Sequence, residues 1–172
     1  AMLRALAMIS VFLGCTYWGI RASSLLRLRR DTLSAFKSSV NHLCSRMSYS
    51  AQPLALLAEQ AKTKETEVFW SLFSKRLAIE DDVSTAWKSA MEYARENDAG
   101  FASLKIQELR IFEDYAKGLG SSDSTMQTKN GAWLQQRLDS VMSEANDAYN
   151  RKGRMFRSIG ILTGVAAALL LW

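Results

Sequence analysis

Reactive side chains are sparse in this chain. Its 172 residues hold one histidine, His42, and two cysteines, Cys15 and Cys44. One imidazole and two thiols far apart in sequence make neither a zinc-site spacing nor a disulfide framework. Asp81 and Asp82 are adjacent carboxylates, a pairing that can do acid–base work or hold a cation. They stand just ahead of an apolar-periodic stretch beginning at Val83. There they read as an N-cap and first-turn charge, accepting the open N–H groups of a new helix. His42 lies within a helical stretch and reads as structural. The serines fall in no Gly-x-Ser-x-Gly arrangement and in no usable Ser-x-x-Lys, and no Gly-rich phosphate loop is present. These residues point to no catalytic, cofactor-binding or metal-binding site. A protein of this kind is read as a non-enzyme that draws any energy it needs from a partner.

The elements around them are helical. Proline occurs once, at Pro53, and glycine nine times. Apolar residues recur at threes and fours, as in Leu26, Leu33, Phe36, Val40, Leu43 and Met47. The same spacing returns from Val68 to Ile79, around Trp87, Met91 and Ala94, from Phe101 to Leu119, and from Met126 to Tyr149. The expected fold is an all-α bundle of about six helices by that periodicity. Pro53 belongs in the first turn of a helix through Ala61. The chain turns hardest at Gly118-Leu119-Gly120-Ser121-Ser122-Asp123. Gly120 reads as the left-handed stop of one helix, and Ser122 and Asp123 as the start of the next. No proline follows, so an unbroken helix from there would run about 50 residues, or roughly 75 Å. Gly131 within it is a cost of about 1 kcal/mol that close packing can justify.

Both ends are apolar and basic. Residues 3–20 are apolar apart from Arg4, Ser10 and Thr16, with Tyr17 and Trp18 at the far end, and Arg21, Arg27, Arg29 and Arg30 follow. Phe12-Leu13-Gly14-Cys15 approaches a lipoprotein signal, but Phe12 is bulky and the apolar run continues. At the other end, Arg151, Lys152, Arg154 and Arg157 precede an uncharged run from Ile159 to Trp172. Gly160 and Gly164 there have the spacing of a packing face between membrane helices. The expected organisation is a membrane span at 2–20, a helical bundle at 21–154 and a second span at 155–172. The flanks carry +9, so the net charge of +5 leaves −4 on residues 31–150. An acidic middle argues against nucleic-acid binding. Both basic clusters lie on the bundle side of their runs, which predicts a cytoplasmic bundle.

The run from Tyr115 to Gln127 resembles the Leu-Gly-x-Ser-Asp-x-x-x-Gln signature of the stage III sporulation protein AB family. Gly118, Gly120, Ser122, Asp123 and Gln127 carry the resemblance as signature positions, read as structural. The wider frame agrees, from the arginine-rich start to the Gly-x-x-x-Gly run ending in leucines and tryptophan. Gln52-Pro53-Leu54-Ala55 departs from the family's usual Thr-Pro-Leu-Pro. The resemblance implies a bundle similar to the cytoplasmic part of inner-membrane platform proteins of type II secretion and type IV pilus systems. It implies a secretion-type sporulation ATPase and other membrane proteins of the mother cell–forespore channel as partners. It places the chain in the mother-cell-derived membrane around the forespore. A homo-oligomer is compatible with this, and so is a tethered scaffold or signalling adapter that has no ATPase partner.

Overall fold

The computed structural model describes residues 2–49, 52–119 and 124–171. Among them every regular element is helical. Helix α1 spans Met2–Tyr49, α2 Leu54–Gln60, α3 Glu67–Leu77, α4 Val83–Asn97, α5 Ala99–Ala102 and α6 Ile106–Leu119. Helix α7 spans Ser124–Asp147, a π-helical turn covers Ala148–Gly153, and α8 spans Arg154–Leu171. The chain divides into two compact units. One is Arg29–Ser143, the bundle; the other joins Ala1–Leu28 with Glu144–Trp172.

The bundle is built on the stripe of α1. Leu33, Phe36, Val40 and Leu43 are fully buried. Phe36 is the hub of an aromatic core, with ring centroids 4.3 Å from Phe112, 5.2 Å from Phe69, 5.5 Å from Trp70 and 5.8 Å from Trp87. Mixed stacked and edge-on pairs of this kind add about 0.5–1.5 kcal/mol each beyond the area they bury.

Local chemistry sets the helix ends. Pro53 supplies the fixed backbone just before α2, with φ −57°. Asp82 caps α4, accepting from Thr85 N at 3.0 Å, Ser84 N at 3.3 Å and the Thr85 hydroxyl at 2.6 Å. The adjacent carboxylates at 81–82 thus include a working cap.

The periodic stretch from Phe101 to Leu119 is not one helix. Asp98 opens the short α5 by accepting from Gly100 N at 2.8 Å and Phe101 N at 3.1 Å. The Ser103 hydroxyl closes it onto Gly100 O at 2.6 Å. Glu108 then reaches back to Lys105 N at 2.7 Å and starts α6, which is half of a capping box. The long helix expected after the corner is interrupted too, by the π-turn. Ile79, counted on the third stripe, lies beyond the end of α3 and is exposed.

Among the described residues, no helix is long and apolar enough to cross a membrane. The spans expected at 2–20 and 155–172 therefore lack that support. Polar groups interrupt both runs: Arg4, Ser10 and Thr16 in the first, Arg157 and Thr163 in the second.

Candidate functional site

The signature corner is described on one flank. Gly120, Ser122 and Asp123 lie outside the described residues, and Gln127 falls within α7. Gly118 sits in the last turn of α6. A Cβ there would run into the side-chain amide of Asn130. That amide donates from Nδ2 to Tyr115 O at 2.9 Å, using a lone pair that the helix leaves available. A side chain at Gly118 would displace that amide, so glycine leaves room for this bond between α7 and α6.

The next residue along α7 repeats the device. A Cβ on Gly131 would lie 2.7 Å from Cys44 Sγ on α1. Cys44 Sγ is also within hydrogen-bond reach of Tyr115 Oη, at 3.3 Å. Further along the same seam, Lys37 of α1 makes an ion pair with Asp139 of α7. Burial pushes the Cys44 thiol above its ordinary range, and burial with the neighbouring thiol pushes the Tyr115 phenol well above its own. Both groups stay protonated at neutral pH, so Cys44 is no thiolate nucleophile there. This seam holds three helices together and offers no reactive group. The sequence signal was limited to the unexplained Gly131 and to the place of Tyr115 on the periodic stretch of α6; Asn130 carried none.

The basic residues divide. Arg21, Arg27, Arg151, Lys152 and Arg154 are exposed. Arg30 pairs with Asp31 at 2.7 Å. Arg29 belongs to the core instead of the basic cluster with which its sequence neighbours group it. Its Nε and Nη2 donate to Glu108 Oε1 at 2.9 and 2.5 Å, and both side chains are almost wholly buried. Glu108 serves two partners, since its other oxygen accepts from Lys105 N. Hydrogen bonds beyond the bare charge contact are what make a buried ion pair tolerable. Arg157 falls in α8.

The second unit packs by glycine. A Cβ on Gly19 would lie 2.7 Å from Phe156 O, and one on Gly160 would lie 3.0 Å from Cys15 O. The backbones of α1 and α8 therefore meet directly, through Gly19 as well as Gly160. Gly164 follows one turn later in α8. Gly153, at the end of the π-turn, sits against Ser23 Oγ, with a Cβ distance of 3.3 Å. Among the described residues no cluster of potential ligands can hold a metal ion.

The model of the family described as stage III sporulation protein AB matches residues 4–172. The chain belongs to that family. Stage III sporulation protein AB of Bacillus subtilis (strain 168) is 23% identical over 170 residues, covering 99% of each chain. A solved structure of a stage III sporulation protein AB is similar with a TM-score of 0.62 at 19% identity, covering 72% of this chain and 97% of its own. At that identity the likeness is one of fold. It joins an all-helical architecture to a family of sporulation proteins, and the signature glycine Gly118 acquires a physical role within it.

Proposed function

We propose that this stage III sporulation protein AB family member is a membrane platform of the channel between mother cell and forespore. It assembles with a secretion-type cytoplasmic ATPase and other channel proteins and does no catalysis itself. The α1 and α8 ends enter the mother-cell-derived membrane around the forespore as a pair, with the bundle on the cytoplasmic side. The observation that carries the membrane reading is the apolar surface that this pair leaves open. Trp18 is 70% exposed, Leu162 67%, Tyr17 64% and Leu13 59%. Exposed apolar surface this extensive marks a membrane or partner interface. Each run alone is interrupted by polar groups. Paired through Gly19 and Gly160, they share one apolar exterior, and close backbone packing is how helices associate in lipid.

The ATPase partnership rests on the family, on the resemblance to secretion platforms and on the −4 carried by residues 31–150, which suits a partner with a basic or mixed face. In-cell crosslinking from bundle-surface positions in sporulating cells tests it. Capture of the sporulation ATPase supports the platform. Reproducible crosslinks to membrane proteins but never to the ATPase favour the scaffold reading. A protease-cleavable tag at Lys64, digested from outside the mother cell, would overturn the cytoplasmic placement.

A further inference from the structure

The paired ends carry more than an apolar exterior. Between α1 and α8 lies a groove of about 430 Å³ lined by Gly14, Cys15, Trp18, Phe156, Ile159 and Thr163 among others. That size falls in the range of about 300–1,000 Å³ typical of ligand pockets. A Cβ on Gly14 would meet nothing within 4 Å, so the groove is open at that position. The register of the pair follows from its contacts: Gly19 faces Phe156 and Gly160, and Ser23 faces Gly153. Arg21, between Gly19 and Ser23, is therefore level with the start of α8.

The π-turn fixes which residues surround that level. Gly153 is buried, while Arg151, Lys152 and Arg154 on either side of it are exposed. Arg154 Nε donates to Asn150 O at 3.1 Å, which keeps its stem against the turn. Residues 1–28 contain no carboxylate, and Glu144 and Asp147 precede the turn, farther along the chain from the groove. Helical spacing puts Arg21 one turn beyond the lining residue Trp18 and Lys152 one turn before the lining residue Phe156, so exposed cations stand at this end of the groove.

We infer that this helix pair is a binding site for an anionic phospholipid, with an acyl chain in the groove and the phosphate of the headgroup at Arg21 and Lys152. The cations supply charge complementarity, and the apolar groove supplies the place for the chain. Each basic residue at a membrane surface strengthens the attraction to anionic lipid by about fivefold. The inference rests on the membrane reading above.

The test uses the full chain in vesicles of phosphatidylcholine with or without phosphatidylglycerol, one of the two acyl-brominated at a time. Quenching of Trp18 is isolated by subtracting a Trp18→Phe variant. Brominated phosphatidylglycerol is expected to quench Trp18 at least about fivefold more effectively than brominated phosphatidylcholine at equal mole fraction. The combined Arg21→Gln and Lys152→Gln variant brings that ratio toward one. Gly14→Leu fills the groove and suppresses quenching by both lipids. Insertion into both vesicles with a ratio near one, or quenching indifferent to Gly14→Leu, overturns the lipid site and leaves the membrane reading standing. A protein that associates with neither vesicle overturns both.

Discussion

The bundle and the helix pair use the same residue types to opposite ends. In the bundle, glycines let side chains in: Gly118 receives the Asn130 amide and Gly131 the Cys44 sulfur. In the helix pair, glycines let backbone meet backbone, with Gly19 on Phe156 O and Gly160 on Cys15 O. Aromatics follow the same division. Trp70 and Trp87 are buried in the bundle, whereas Trp18 stands 70% exposed on the helix pair. Burying rings away from water stabilises the first arrangement. Close packing of backbones holds the second, the kind of contact by which helices also associate in lipid. The two units therefore pack by different means, and mutations should report that.

The largest expected effect is at the buried charge pair. Glu108→Ala removes the carboxylate that faces Arg29 and is expected to cost about 3–5 kcal/mol in denaturant unfolding of the bundle. The double change Arg29→Met with Glu108→Leu should cost far less, because no charge is then left in the core. Equal losses for the single and double variants would show that the pair's attraction, not desolvation, dominates. The converse is Gly19→Leu. It places a side chain against the Phe156 carbonyl and should separate α1 from α8 in vesicles, measured by Trp18 quenching, while the bundle's melting temperature stays put. A bundle that melts early in that variant would break the comparison.

Gly131→Ala sharpens it. The new methyl meets Cys44, an overpacking cost of about 1–3 kcal/mol, against a helix-propensity gain of about 1 kcal/mol. In a Cys44→Ala background only the gain remains, so the substitution should change from destabilising to stabilising. The same sign in both backgrounds would mean that the close approach of α1 and α7 is not what selects glycine.

Two smaller effects depend on pH. The Cys44 and Tyr115 protons are held more tightly in the folded bundle than in the unfolded chain, whose ordinary values are 9.0 and 10.0. The unfolded chain therefore releases them first, and stability should fall as pH rises through that range. Cys44→Ala with Tyr115→Phe flattens this alkaline limb, read as melting temperature against pH. At the acid end, the Thr85 hydroxyl and backbone bonds hold the exposed Asp82 carboxyl below its ordinary range. The cap's contribution is present above the ordinary carboxylate pKa and lost as pH falls through the depressed value. Asp82→Ala should lower the melting temperature slightly at neutral pH, and the gap from wild type should close in acid.

Much of the bundle was readable as periodicity. The α1 stripe of Leu33, Phe36, Val40 and Leu43 is the core it suggested, because burial and helical spacing are the same signal. Arg29 was not readable. It sits among arginines, and its carboxylate lies 79 residues away. A charge pattern along the chain carries no information about such a partner. The break before α6 was missed because Asp98 and Glu108 act through side-chain bonds to the backbone, which leave the apolar spacing intact. Met126 and Trp133 fit the stripe of α7 but face outward. Trp133 lies instead beneath the Arg137 guanidinium, 5.8 Å from its ring centre. The π-turn has no compositional mark beyond Gly153. At the signature corner, the half that is described draws its geometry from Asn130, a residue outside the signature.

The separation of Arg29 from Glu108 also has a meaning in time. At a synthesis rate of about 5–20 residues per second, a gap of 79 residues is about 4–16 s. Through that interval Arg29 exists while its carboxylate does not yet. Phe112, the ring nearest Phe36, emerges at almost the same late moment. The nascent chain must therefore keep an arginine hydrated and a phenylalanine stripe shielded for seconds before its core can close. The apolar residues 3–20 have this interval in which to find lipid or a chaperone, and the order of emergence lets that choice precede folding.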